Sequence, residues 1–237
     1  KLVDALASDK DYQKIKEAGM RFSVQEVRGV TRGPDQEYKN SEEVETYLKE
    51  YSEKYPSLTK LVSIGKSLEG RDIWALKISD NADKKELEEP SHLFNSMHHA
   101  REVMGPEVGF DIVSRLLDNY GSDEKITNYV DQNEIWVMPM FNVDGNNKMW
   151  GEDSWWRKNV RGGYGVDLNR NYPSGWDSCN GSSGWRNSQT YRGESPASEP
   201  ETVAMMKFIE ANSQYVWSYK FYTTEKKKWF SCAGRCT

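Results

Sequence analysis

Histidine is scarce in this chain: three among 237 residues, at His92, His98 and His99. A site needing several imidazoles must draw on that one short stretch. Cysteine is as sparse, at Cys179, Cys232 and Cys236, too few for a disulfide framework. One pair plus a free thiol is the most they allow. Cys232-x-x-x-Cys236 has no histidine near it and makes a poor metal motif. No run approaches the ~20 apolar residues of a membrane-spanning helix. The start, Lys1-Leu2-Val3-Asp4, has no apolar region, so a signal peptide is absent or already removed. Net charge is −5, which gives no general pull toward nucleic acid or an anionic membrane.

What is present suits one α/β domain with an N-terminal extension, long enough to bury a sizeable core. Nine Trp and 13 Tyr fit either a thick aromatic core or an extracellular hydrolase, sugar binder or peptide binder. A polar helix is expected over 1–18, stopped by Gly19, then a short strand over 21–27. Residues 29–39 are rich in turn formers and read as a linker. Asn40-x-x-Glu43 resembles a capping box, and Val44, Tyr47, Leu48 and Tyr51 make a helical stripe. Strand-like runs at 61–66 and 72–79 flank Leu68-Glu69-Gly70-Arg71, a hairpin signal. Strands are expected at 91–97, 134–141 and 215–223. Helices are expected at 105–120 and after a Ser198-x-x-Glu201 cap. Alternating strands and helices predict an α/β fold with a mixed, mostly parallel sheet flanked by helices. The loop-rich stretch 142–197 is where function tends to concentrate.

The most informative motif follows the 91–97 strand: His99-Ala100-Arg101-Glu102. An imidazole and a carboxylate at the end of a strand are donors that zinc accepts. Two ligands do not close a site, because catalytic zinc usually takes three protein ligands and a water. A histidine satisfied by an ordinary partner is the plainer alternative.

Four segments match one pattern in order. They are Met97-His98-His99-Ala100-Arg101-Glu102, Asn142-Val143-Asp144-Gly145, Trp156-Arg157-Lys158, and Gly165-Val166-Asp167-Leu168-Asn169-Arg170-Asn171-Tyr172. Ser198-Glu199-Pro200-Glu201 stands behind them. Together they resemble the zinc metallocarboxypeptidases of the carboxypeptidase A/B and carboxypeptidase T kind, over roughly residues 38–219. Zinc amidases acting on acylated amino acids also use His-x-x-Glu, but lack the run from Gly165 to Tyr172 in this form.

The resemblance implies one zinc ion per chain, held by His99 and Glu102, with Asp167 hydrogen-bonded to the second nitrogen of His99. It implies that Asn169 and Arg170 grip a substrate's C-terminal carboxylate, which a guanidinium can clamp through two hydrogen bonds. Arg157 resembles the residue that polarises the scissile carbonyl and holds the oxyanion. Arg101 resembles one that contacts substrate beyond that bond. A structural salt bridge is the plainer reading of each arginine. His98 matches no ligand position and reads as structural. Partners would be peptide or protein C-termini, with no nucleic acid and no membrane, and the chain is expected to be a secreted monomer. Residues 1–37 resemble the tail of a zymogen pro-segment with its connecting peptide, 38–223 a partial peptidase domain, and 224–237 a divergent tail.

The match then departs from the family. Its third zinc ligand is a histidine on the strand after the Ser-Glu-Pro-Glu helix. Here that stretch is Tyr219-Lys220-Phe221-Tyr222-Thr223, with Tyr222 at the histidine position. A neutral phenol, with a pKa near 10, is a poor zinc ligand. The family's catalytic carboxylate lies on a further stretch with no counterpart here, and a truncation or shifted reading frame is one explanation. The expectation is a zinc carboxypeptidase by descent with impaired turnover; the alternative is a non-catalytic binder of C-terminal carboxylates.

Overall fold

The computed structural model describes residues 17–18, 37–178, 180–212 and 216–221, the last by their backbone. The chain divides into two compact units, Lys1–Val30 and Thr31–Thr237. The expected helix over 1–18 falls outside the described residues but for its last two. The strand at 21–27, all three cysteines, Tyr222 and the tail 224–237 also fall outside.

Helix α1, Ser41–Lys54, starts where its capping box places it. The Asn40 side chain accepts from the Glu42 and Glu43 amides, and the Glu43 carboxylate accepts from the Asn40 amide. Acidic residues in its first turn and Lys54 in its last suit the helix dipole. Val44 and Leu48 are its buried stripe. Strands β1, Thr59–Lys66, and β2, Asp72–Ile78, form the expected antiparallel hairpin. Its turn is closed by the Ser67 amide on the Arg71 carbonyl at 2.8 Å.

Strand β3 is Ser91–Ser96 and β4 is Glu134–Met138. Between them run α2, Met104–Asp118, and α3, Glu124–Asp131. The sequence reading had no helix at α3. It is a single short amphipathic segment with one buried residue, Val130, and the Asp123 side chain caps it. Inside the stretch expected to be loop lie α4, Val143–Gly151, and two short 3-10 turns, Arg161–Gly163 and Leu168–Arg170. Asn142 starts α4 by accepting from the Gly145 amide. Helix α5 is Pro200–Asn212 and strand β5 is Val216–Phe221. Ser198 does not cap α5 as expected; its hydroxyl lies between Asn171 and Glu199, and the Glu201 carboxylate goes to the Leu68 amide.

The sheet order is β1-β2-β4-β3-β5. It is mixed: β1/β2 and β2/β4 are antiparallel, β3/β4 and β3/β5 parallel. Central strand β4 is buried along its whole length. Leu48, Ile73, Leu76, Leu93, Val113 and Val137 are among the residues forming one core between sheet and helices. Because β3, β4 and β5 are parallel neighbours, their C-terminal ends leave the sheet along one edge, where open α/β sheets collect ligands. No helix among the described residues is long and apolar enough to cross a membrane.

Candidate functional site

Strand β3 ends in a strained turn. Met97 is fully buried with φ +56°, a left-handed conformation costing a side chain about 1–3 kcal/mol. The neighbouring exit from β4 holds it there. The Phe141 amide bonds the Ser96 carbonyl at 3.1 Å, the Asn142 amide the Met97 carbonyl at 3.0 Å, and Asn142 Nδ2 the His98 carbonyl at 3.2 Å. The turn presents His99 and Glu102 together, and both are buried.

The two nitrogens of His99 face two carboxylates. Nδ1 lies 2.8 Å from Glu102 Oε1, and Nε2 lies 3.1 Å from Asp167 Oδ1. Asp167 is fully buried. It also accepts from Arg157 Nη2 at 2.9 Å and from the Asn169 amide at 3.0 Å. Burial pushes its carboxyl up, but the His99 hydrogen bond and the charges of His99, Arg157 and Arg170 outweigh burial and hold it at about 2. An ionised Asp167 accepts a hydrogen bond from Nε2–H, so a neutral His99 has its lone pair on Nδ1. That lone pair then faces a carboxylate oxygen at hydrogen-bond distance, and two acceptors repel unless a proton or a cation joins them. The same opposition acts on the imidazole: burial disfavours its charge, yet the bonds to Asp167 and Glu102 raise its pKa above the ordinary 6.5.

The other oxygen of Glu102, Oε2, is buried with no hydrogen-bond partner. Orphaned buried carboxylate oxygens are costly. An imidazole nitrogen and a carboxylate converging, with the far nitrogen fixed by a second carboxylate, is a donor set that fits zinc. Strand β5 leads toward the same place. Phe221 is registered against Ser96, at the exit that leads to His99.

The substrate-side residues gather unevenly around this pair. Asp167 caps the Leu168–Arg170 turn, so Asn169 and Arg170 ride on an element anchored directly to His99. Arg170 Nε donates to the Gly181 carbonyl at 3.1 Å and Nη1 to the Asn169 carbonyl at 3.2 Å. Arg157 joins the network through Asp167, and its Nε donates to the Gln189 carbonyl at 3.3 Å. Arg101 is exposed and reaches the Trp155 carbonyl at 3.2 Å. Thus His99, Glu102, Asp167 and Arg157 form one hydrogen-bonded group, Asn169 and Arg170 attach to it through the turn, and Arg101 stands at its surface.

Sequence reasoning gave no role to the supports around this group. Lys158 is buried and donates to the Arg186 and Ser188 carbonyls at 2.9 and 2.8 Å, holding the 185–190 loop against Arg157. Burial lowers its pKa. Arg161 and Asn159 both donate to the buried Glu199. The signal for Lys158 was its place in the Trp156-Arg157-Lys158 motif; Arg161 carried none.

A family model described as zinc carboxypeptidase matches residues 44–226. A zinc carboxypeptidase of Saccharothrix mutabilis subsp. capreolus is 40% identical over 147 residues, covering 60% of this chain and 34% of that protein. Human carboxypeptidase A6 is 31% identical over 216 residues, 88% of this chain and 48% of that protein. The crystal structure of the carboxypeptidase A from Helicoverpa armigera superposes with a TM-score of 0.73 at 28% identity, covering 79% of this chain and 46% of that one. The chain therefore spans less than half the length of each of these relatives.

Proposed function

This chain belongs to the zinc carboxypeptidase family, and from that membership we propose that it holds zinc through His99 and Glu102 and takes peptide C-termini through Asn169 and Arg170. The observation that carries the reading is the 2.8 Å approach of His99 Nδ1 to Glu102 Oε1, with Asp167 occupying the other ring nitrogen. Zinc, when bound there, supplies Lewis acidity toward a water or a carbonyl oxygen. Asp167 keeps the imidazole in the tautomer that presents Nδ1. Arg170 pairs with the free carboxylate of a chain end, which restricts cleavage to the last peptide bond. Arg157 places positive charge beside the metal ligands, where negative charge develops on the scissile carbonyl oxygen. Arg101 meets the substrate further along. One zinc per chain, a monomeric state, secretion and a zymogen origin for residues 1–37 belong to the same proposal.

Turnover by these residues is impaired in this reading. Tyr222 stands at the position where the family resemblance expects the third zinc histidine. Among the described residues of the site, both carboxylates are committed, Glu102 to the metal position and Asp167 to His99 and Arg157. A second reading, capture of C-termini without cleavage, is favoured by the same observation, because the Asn169–Arg170 turn is fully formed.

Calorimetric titration with a short peptide as free acid and as C-terminal amide tests the carboxylate grip. The acid is expected to bind about tenfold or more tighter, the size of a charge-assisted hydrogen bond, and Arg170→Ala to erase that preference. Equal affinity for acid and amide contradicts the reading.

A further inference from the structure

The carboxylate-binding turn is held at both of its ends, by two adjacent histidines. His99 Nε2 meets Asp167 Oδ1, at the start of the turn, at 3.1 Å. His98 Nε2 meets the Tyr172 hydroxyl, just past its end, at 2.9 Å. His98 is buried. Its ring packs on Phe141 at 4.4 Å between centroids and lies 5.9 Å from the Tyr172 ring. Its carbonyl accepts from Asn142 Nδ2 at 3.2 Å, so the exit from β4 holds both its backbone and one side of its ring. The left-handed Met97 reverses the chain just before the pair. His99 then reaches the near end of the 168–170 turn while His98 reaches the far end.

We propose that His98 is a positioning residue: with Tyr172 it forms the second strut of a two-histidine clamp that fixes the Asn169–Arg170 turn against the metal centre. The inference rests on the reading of Asn169 and Arg170 as the carboxylate grip. The last residue of the turn, Asn171, is buried and tied by its side chain to the Arg192 and Ser195 carbonyls and the Ser198 hydroxyl, which fixes it to the 192–199 segment. The His98–Tyr172 bond ties it instead to the segment that carries the metal ligands, and so sets the distance of Arg170 from that segment. Small misplacements of a binding group are expensive in affinity because orientation is then restored at binding. The clamp also explains a buried imidazole that no zinc-ligand position accounts for. The proposed positioning runs through the Nε2–Oη hydrogen bond, so a residue that restores that bond restores the positioning.

The test compares His98→Phe, Tyr172→Phe, the double variant and His98→Gln in the full chain. Phenylalanine keeps ring packing on Phe141 and loses the hydrogen bond; glutamine restores a polar reach to Tyr172. One readout is amide hydrogen exchange at Arg170 and Asn171, whose N–H groups bond the Asp167 and Leu168 carbonyls. The other is affinity for the peptide acid and amide, with zinc content measured alongside. Each single Phe variant is expected to speed exchange at these two amides about tenfold and weaken acid binding by a similar factor, the effect of one buried hydrogen bond. The double variant should be no worse than either single, His98→Gln should recover most of the loss, and zinc content should not change. Additive effects, unchanged exchange, or loss of zinc in step with loss of binding overturn the clamp. Wild-type protein that does not prefer acid over amide overturns the carboxylate reading instead, and the exchange comparison still decides whether His98 and Tyr172 hold the turn.

Discussion

Asp167 is the residue on which the site turns. It joins His99, Arg157 and the Asn169 amide, and it is held ionised down to about 2 against its own burial. A depressed carboxyl stabilises the fold above its unfolded value and loses that contribution as pH falls through the folded one. The metal-free protein is therefore expected to lose on the order of 2 kcal/mol between about pH 4 and pH 2 from this group, from the difference between its ordinary and native values. Urea denaturation across that range checks it: Asp167→Asn should flatten the slope, and an unchanged slope contradicts the assignment. The family resemblance pointed to Asp167, His99 and Glu102, and the structure brings them within hydrogen-bond distance of one another through His99. The sequence marked His98 as structural but named no partner for it. A histidine beside a ligand has no motif of its own, and its partner Tyr172 lies 74 positions away.

Among the elements, the sheet, the hairpin and the long helices were legible from alternation and capping. The short α3 and α4 were not, because eight- and nine-residue helices show too few turns for periodicity to register. The central strands carry a different kind of information. Lys77 on β2 and Glu134 on β4 form a buried ion pair at 2.6 Å. Lys77 also donates to the Lys84 carbonyl, and the Glu86 amide bonds Glu134. This pair ties the loop between β2 and β3 to the sheet. Lys77→Ala is expected to cost about 3–5 kcal/mol, because it leaves a buried carboxylate uncompensated. Thermal melts measure this, and a loss below 1 kcal/mol contradicts it. In the same loop, burial and the nearby Glu86, Asp80 and Glu134 push the Glu89 carboxyl up to about 7. A raised carboxyl binds its proton more tightly in the folded state, so stability falls as pH rises from its ordinary range toward 7. Glu89→Gln should raise the melting temperature at pH 8 and leave it unchanged at pH 5; equal shifts at both values contradict this.

At the scale of the molecule, the mixed sheet gathers the exits of β3, β4 and β5 at one edge. The loops that follow β3 and β4 bring the proposed metal-ligand pair, His99 and Glu102, and the proposed carboxylate-binding turn together there. The family accounts for that arrangement. Zinc content per chain after loading and exhaustive dialysis against chelator-free buffer, read by metal mass spectrometry, tests the account most directly. It predicts about one zinc per chain in the wild type, close to none in His99→Ala and Glu102→Ala, and loss of metal as pH falls and His99 takes up its proton. Zinc retained equally by both variants, or absent from the wild type, contradicts it.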